Sequence, residues 1–227
     1  MAGAERDGSV RTDPMSTPQA GLILVAIMVG GAVAAFPFLP AEIPVHGDAA
    51  GGPGDGLPRW PGAFILPAVG FGIRALFSIL PRFDPRKDEF ALFWRTYWLI
   101  CNLMLLFLAL TEAFVFSRAL GAPVEGGRFG ALAIGLLFLS FSRYLPGVRS
   151  RWWLGIRTPW TLQSEGVWAA THRLAGRTFL LGGLVTVVAA FVTTEIRPWL
   201  ATAGVVIAGF VPVVFSYLAR RSERRAA

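Results

Sequence analysis

The amino-acid sequence predicts an all-α integral membrane protein, a bundle of six transmembrane helices with both termini in the cytoplasm. Of the 227 residues, 54% are hydrophobic and only 15% are charged, whereas a soluble domain carries roughly a quarter charged residues. Six apolar runs approach the length of about 20 residues that crosses a bilayer. This composition excludes an ordinary soluble enzyme, a disordered chain and a fibrous repeat. It also argues against a nucleic-acid partner, because the net charge of +7 belongs to a strongly apolar chain.

Proline or glycine bounds each of the six apolar runs, as is typical of membrane-helix ends. The runs are residues 21–40, 61–80, 91–117, 128–145, 174–194 and 198–217. Each is predicted to be a helix, because hydrocarbon offers no partner for backbone polar groups. The short link between the last two predicts a tight antiparallel hairpin. The first run, with Ala32-Val33-Ala34, could instead be a cleaved signal peptide, but acidic residues in the preceding tail favour a retained span.

The distribution of Lys and Arg predicts the orientation. Fifteen of the 21 basic residues fall on the side that holds both termini and the loops 81–90 and 146–173, and four fall on the other side. Basic loops stay in the cytoplasm, so this side is predicted to be cytoplasmic. Its positive charge favours contact with anionic lipids. The outer loops carry a balance of −1, where a cationic peptide could be met.

Four parts are expected along the chain. A cytoplasmic tail, 1–20, precedes an N-terminal two-span unit, 21–80, which contains a long outer loop, 41–60. A four-span unit, 91–219, contains a long cytoplasmic loop, 146–173, and a basic tail, 220–227, ends the chain.

The outer loop 41–60 is rich in proline and glycine, which excludes a helix and favours a turn-rich structure on the membrane surface. His46 and Asp48 lie two residues apart, so in an extended segment both side chains point the same way. That pair could bind a metal, share a proton or contact a polar ligand. Alternatively, both residues only form hydrogen bonds with the backbone of their own loop.

Ionisable residues within spans are functional candidates by default. Arg74 and Arg95 lie near the cytoplasmic ends of their spans, so both side chains are predicted to snorkel toward the headgroups. Glu112 lies several residues below the outer edge of the third span and is predicted to face the bundle interior. Its expected partner is Thr111, a polar group of the outer loop or Arg128. A proton pathway is poorly supported, because too few such residues are in register.

The second half of the cytoplasmic loop predicts a helix that continues into the fifth span. Ser164 is a suitable N-cap, and Glu165 would be stabilised in the first turn. Trp168, His172 and Gly176 recur at four-residue spacing and therefore share one face. On that face Gly176 would allow a neighbouring helix to approach closely.

The first half of this loop contains two kinds of pattern. Tryptophan and arginine at 149–153 are explained by an interfacial belt with snorkelling arginines. The run 155–160 is instead typical of a shaped turn, in which Arg157 either stacks on Trp160 or bonds loop carbonyls. A structural element and a ligand contact both remain open for this run.

The run Gly155-Ile156-Arg157-Thr158-Pro159-Trp160-Thr161-Leu162, followed by Trp168, His172 and Gly176, resembles the signature of the SdpI family. The outer loop independently resembles a small domain of unknown function usually found at the front of such proteins. The residues that fill its pattern are Pro44, His46, Asp48, Gly51 and Pro53. This loop departs from the pattern at Gly47, Asp48 and Gly54, and Arg151 stands where the family generally has Asn.

This resemblance implies a polytopic protein of the bacterial cytoplasmic membrane that protects the cell from a toxic peptide met on the outer face. The best-known member of the family also signals, by drawing a cytoplasmic repressor to the membrane, and the resemblance implies the same possibility here. The candidate binding and signature residues are His46, Asp48, Gly51, Pro53, Glu112, Gly155, Arg157, Thr158, Pro159, Trp160, Trp168, His172 and Gly176.

Two other classes of function were weighed. A membrane enzyme would use His46 and Asp48, but His172, the second of two histidines, falls on the opposite face, and neither an HExxH nor a serine-nucleophile motif is present. Cys101 is the single cysteine and gives no disulfide or paired zinc ligand. No catalytic residue, metal or cofactor is therefore expected. A transporter would be expected to have internal repeats, and none is visible.

Overall fold

A computed structural model describes residues 14–44, 56–83, 94–148 and 154–226. Seven α-helices and one short two-stranded sheet make up this part of the chain. The helices are α1 (Pro18–Ala35), α2 (Arg59–Ile79), α3 (Trp94–Ala119), α4 (Gly126–Tyr144), α5 (Pro159–Gln163), α6 (Glu165–Ala189) and α7 (Arg197–Ala226). The strands are β1 (Glu42–Pro44) and β2 (Gly56–Pro58), which pair antiparallel with Ile43 opposite Leu57.

Within the described residues, five helices are long and apolar enough to cross a membrane: α1, α2, α3, α4 and α7. The outward faces agree with this, since Leu22, Ile23 and Ile27 of α1 are each 57–59% exposed, and large aliphatic side chains at such exposure suit lipid. The chain is thus an all-α, multi-pass membrane protein. α6, which contains most of the predicted fifth span, is not among the five, so the count of six spans stays a prediction.

Helix starts follow local chemistry. The hydroxyl of Thr17 accepts a hydrogen bond from the Ala20 N–H at 3.4 Å, and Pro18 occupies the first position of α1. α2 begins at Arg59, two residues earlier than predicted, so the proline-rich outer loop does not exclude a helix there. Pro61 is tolerated because the first turn of a helix needs no N–H partners.

The helices form two groups of three. α1, α2 and α3 pack on one another, α6 packs extensively on α7 and on α4, and α3 also contacts α4. A buried cluster ties the groups together, because Trp168 of α6 and Val148 join Trp98 and Leu105 of α3.

The start of α1 is bound to the rest of the first group. Asn102 donates hydrogen bonds from Nδ2 to the carbonyls of Met15 and Thr17, each at 2.7 Å. Arg74 donates to the Pro18 carbonyl at 3.2 Å, and its guanidinium lies 4.4 Å from the centroid of the Trp98 ring. Arg74 is therefore half-buried and bound within the protein, and its snorkelling toward the headgroups stays a prediction. Arg95, by contrast, is exposed.

The predicted hairpin between the last two spans forms, but its connection is longer than expected. α6 ends at Ala189 and α7 begins at Arg197. The Thr193 carbonyl accepts the N–H groups of both Ile196 and Arg197, which closes the turn, and residues 190–194, which were predicted to end the fifth span, belong to this connection.

Glycines allow α6 to approach both of its neighbours. A Cβ at Gly135 of α4 would lie 3.0 Å from the Gly183 carbonyl oxygen of α6. A Cβ at Gly204 of α7 would lie 2.6 Å from the Gly182 carbonyl oxygen and would overlap the hydroxyl of Thr186. Small residues at membrane-helix crossings permit this backbone contact.

Gly204→Ala is accordingly expected to destabilise the bundle by about 1–3 kcal/mol, the usual effect of overpacking a close contact. The midpoint of thermal unfolding in detergent measures this. Gly209→Ala on the same helix is the control, since a Cβ there meets no atom within 4 Å. Equal midpoints for the two variants would contradict the close crossing of α6 and α7.

Candidate functional site

Two regions of the described chain bring together polar and charged side chains. One lies at the end of the bundle where the positive charge predicts the cytoplasm, and the other lies at the opposite end. We call these the cytoplasmic end and the outer end. The segment 154–163 with Trp168 and His172 of α6 is called the cytoplasmic platform.

His172 holds the platform in place. It is fully buried, its Nε2 accepts a hydrogen bond from the Ile156 N–H at 3.0 Å, and its Nδ1 lies 3.0 Å from the Trp168 carbonyl. These two contacts require a neutral ring protonated on Nδ1. Burial lowers the pKa of His172 from 6.5, and the hydrogen bond to the Trp168 carbonyl opposes this in part. The ring is therefore a neutral acceptor for the loop backbone.

Trp168 supports the histidine from its own helix. The two rings stack with their centroids 4.2 Å apart, and the indole Nε1 donates to the Val148 carbonyl at 2.8 Å. The four-residue spacing therefore predicted a shared face correctly, and Ser164 caps α6 as expected, accepting from the Val167 N–H at 3.2 Å. Gly176 lies further along this face, where a Cβ would be 2.5 Å from Cγ of Pro146.

Gly155 makes the turn that brings the loop onto His172. Its φ of +115° lies in a region that favours glycine, and a Cβ there would lie 2.6 Å from His172 Nε2. Arg157 is exposed, and among the described residues it neither stacks on Trp160 nor bonds a loop carbonyl. The Trp160 ring instead contacts Tyr217, with centroids 5.1 Å apart, so the predicted stacking of Arg157 on Trp160 is wrong, while the loop residues 149–153 lie outside the described residues.

The short helix α5 is fixed by a capping box. The Thr158 hydroxyl accepts from the Thr161 N–H at 3.2 Å, the Thr161 hydroxyl accepts from the Thr158 N–H at 2.9 Å, and Pro159 occupies the first helical position. The Thr158 hydroxyl also lies 3.0 Å from that of Ser216 on α7. The shaped turn predicted for 155–160 is therefore an ordered element docked on α6 and α7.

A basic groove borders the platform. Tyr217 and four arginines of α7 line a space of about 420 Å³ beside Trp160. Glu223 accepts a hydrogen bond from Ser164 at 2.6 Å and pairs with Arg220 at 2.5 Å, so it joins the N-terminus of α6 to the end of α7.

At the outer end, a cavity of about 480 Å³ lies between α3, α4 and the start of α7. Its walls are mainly apolar, and Phe114 and Phe129 stack face to face there, with centroids 4.1 Å apart. Pro44, which ends β1, also lines the cavity. The last described residue before the central part of the outer loop therefore lies beside this space. Residues 45–55, which include His46, Asp48, Gly51 and Pro53, lie outside the described residues.

Charged residues gather at the outer end of this cavity. Arg197 is 6% exposed and is paired with Glu125, and its second terminal nitrogen donates to the Val192 carbonyl at 3.0 Å. Glu125 also lies 3.7 Å from Nε of the exposed Arg128, while Arg118 lines the cavity. Glu125 contacts both Arg197 and Arg128, whereas Arg118 forms no ion pair among the described residues and adds a positive charge to the cavity wall.

Glu112 is buried but does not line this cavity. It lies one helical turn before Phe116, which packs against Ala32 of α1 and Ala63 of α2. Two of its predicted partners contact other groups instead. The Thr111 hydroxyl donates to the Phe107 carbonyl at 2.8 Å, and Arg128 approaches Glu125. Within the described residues the Glu112 Oε1 has no hydrogen-bond partner.

The platform coincides with a region that is similar to known proteins. Residues 148–216 match the SdpI/YfhL protein family, and residues 22–71 match a domain of unknown function, DUF1648. The predicted resemblance to the SdpI family is confirmed. The immunity protein SdpI of Bacillus subtilis (strain 168) is 24% identical to the chain over 196 residues, which cover 86% of the chain and 92% of that relative. No solved structure shows significant similarity to the chain.

Sequence reasoning identified the platform but missed the charged end of the cavity. Arg197 and Glu125 were counted only as outer-loop charges, because 72 residues separate them. One signal was present: Arg197 is the basic residue that directly precedes Pro198 at a predicted span start. A basic side chain at the start of a span can be buried against a neighbouring helix or exposed to water.

Proposed function

We propose that this chain is a protein of the immunity type in the bacterial cytoplasmic membrane, which protects its cell from a membrane-active toxic peptide. The observation that carries the proposal is the similarity to an immunity protein over 86% of the chain and 92% of that relative. Five helices suited to a membrane support a multi-pass location.

The two ends of the bundle suit different roles in this function. An apolar cavity of about 480 Å³ with a charged outer end can take part of an amphipathic peptide. The basic groove beside Trp160 can take an acidic surface, either anionic lipid or the cytoplasmic repressor that the family resemblance implies. We assign peptide recognition to the outer end and signalling to the cytoplasmic end.

Expression of the chain in a sensitive bacterium tests the protective function directly. Survival curves against a panel of membrane-active toxic peptides should shift to higher peptide concentration, while an empty vector and an unrelated membrane protein at equal abundance give no shift. Unchanged survival across the panel, with the protein present in the membrane, would contradict the proposal.

Filling the outer cavity should abolish protection without unfolding the protein. Gly130 lines the cavity, and a Cβ there meets no atom within 4 Å, so Gly130→Phe places a ring in empty space. Gly72→Phe on α2 is the matched control, because Gly72 is equally open and does not line the cavity. Full protection by Gly130→Phe would rule out the cavity as the place of recognition.

A further inference from the structure

The outer end of the cavity contains an uncapped helix N-terminus. α4 begins at Gly126, and the side chain of its N-cap residue, Glu125, makes no capping hydrogen bond. The backbone N–H groups of the first turn have no partner within a helix and carry partial positive charge. Gly126 and Gly127, which belong to this turn, line the cavity. These amides are suited to an anion.

Two arginines reinforce this end. Arg197 lines the cavity with a side chain that is only 7% exposed, and its Nε has no hydrogen-bond partner within the described residues, although both terminal nitrogens are bonded. Arg118 also lines the cavity, with one terminal nitrogen 3.1 Å from where a Cβ of Gly126 would lie. Glu125 neutralises one guanidinium, so positive charge remains for a ligand.

The other walls of the cavity are apolar, so they offer no partner for a second charge on the ligand. Phe107, Phe114, Phe129 and Ile134 line the cavity below the charged end. A ligand that fills this space therefore has an apolar body and one anionic group at its end. The terminal carboxylate of an apolar peptide has this form, because no further chain has to pass the arginines.

We propose that the outer cavity binds the C-terminal end of an apolar peptide segment, with its carboxylate at the α4 N-terminus, Arg118 and Arg197. This inference rests on the proposed function and specifies which end of the toxic peptide is recognised. The Glu125 carboxylate holds Arg197 in place beside the cavity.

Binding to the purified full-length protein in detergent tests the proposal. The probes are an N-acetylated, all-apolar octapeptide with a free C-terminal carboxylate and the same peptide with a C-terminal amide. The acid should bind at least about tenfold more tightly, because only the carboxylate forms charge-assisted hydrogen bonds with the arginines. Equal affinity for acid and amide overturns the proposal.

Variants locate the carboxylate. Arg118→Gln should remove most of the preference for the acid, whereas Arg128→Gln should retain it, because Arg128 is exposed and does not line the cavity. Arg197→Gln should act like Arg118→Gln, but Arg118 is the more informative site because it is only half-buried. Unchanged preference in a folded Arg118→Gln protein also overturns the proposal.

Dodecanoate provides the last arm, since a fatty acid also joins an apolar chain to a carboxylate. Dodecanoate that displaces the octapeptide at equal concentration would show a lipid site and overturn the choice of a peptide. Protection lost in Gly130→Phe, together with no preference for acid over amide, would leave the proposed function standing and remove this inference. Preference for the acid without protection of cells would support this inference and contradict the proposed function.

Discussion

Replacing Gly155 with alanine is expected to destabilise the protein by about 2–6 kcal/mol and to release the cytoplasmic platform. The φ of Gly155 is +115°, a conformation that is strained by roughly 1–3 kcal/mol in other residues. The new Cβ would also lie 2.6 Å from His172 Nε2 and 2.8 Å from the Trp168 ring, and overpacking adds about 1–3 kcal/mol. The loop has to move away from His172 to relieve the backbone strain and the overlap of the new Cβ.

The measurement is thermal unfolding in detergent, followed by tryptophan fluorescence. Gly147→Ala is the matched control in the same cytoplasmic loop, because Gly147 has an ordinary φ and a Cβ there meets no atom within 4 Å. A Gly155→Ala protein as stable as the Gly147→Ala protein would contradict the close contact between this turn and His172.

Binding and recruitment measurements on Gly155→Ala and Gly147→Ala connect the platform to function. If signalling depends on the platform and recognition on the outer cavity, Gly155→Ala should impair the response at the cytoplasmic end more than peptide binding at the outer end. Comparing peptide affinity in detergent with repressor recruitment in cells separates the two.

The platform could be predicted because its determinants are local. Ser164 as N-cap, and Trp168, His172 and Gly176 on one face, follow from spacing along a single helix. The Thr158 capping box is equally local, since its partner Thr161 is three residues away. Such patterns are decided by the geometry of one helical turn, so the structure had little freedom to differ from them.

Other features depend on which helices meet, and spacing contains no such information. Asn102, for example, binds carbonyls 85 and 87 residues earlier in the chain. Arg74 was predicted to snorkel because its side chain is long, and spacing alone did not indicate that the Trp98 ring and the Pro18 carbonyl would be its partners. The Arg197–Glu125 pair likewise exists only because the start of α7 lies beside the start of α4.

Acidic pH is expected to weaken the platform through His172. The native ring accepts the Ile156 N–H on Nε2, and a protonated ring has no acceptor left. Burial lowers the pKa of His172 below 6.5, whereas the unfolded chain titrates near that value. Since the unfolded state binds the proton more readily, the stabilising contribution is complete above pH 6.5 and is lost as pH falls through the lower native pKa.

Two substitutions isolate this contribution. His172→Ala removes a fully buried ring and leaves the Ile156 N–H without its acceptor, so it should destabilise the protein by about 3–5 kcal/mol at pH 7.5. His172→Gln cannot titrate, and its side-chain oxygen can accept the same N–H, so it should be destabilised by only about 1–2 kcal/mol.

The free energy of unfolding is then measured between about pH 7.5 and pH 5, above the range in which ordinary carboxylates titrate. The difference between the wild-type protein and His172→Gln should shrink as pH falls, because only the wild-type protein loses the histidine contribution. Groups common to both proteins cancel in that difference. A difference that stays constant across this range would mean that His172 is not a buried neutral acceptor, and the hydrogen bond from Ile156 would then not be what holds the turn on α6.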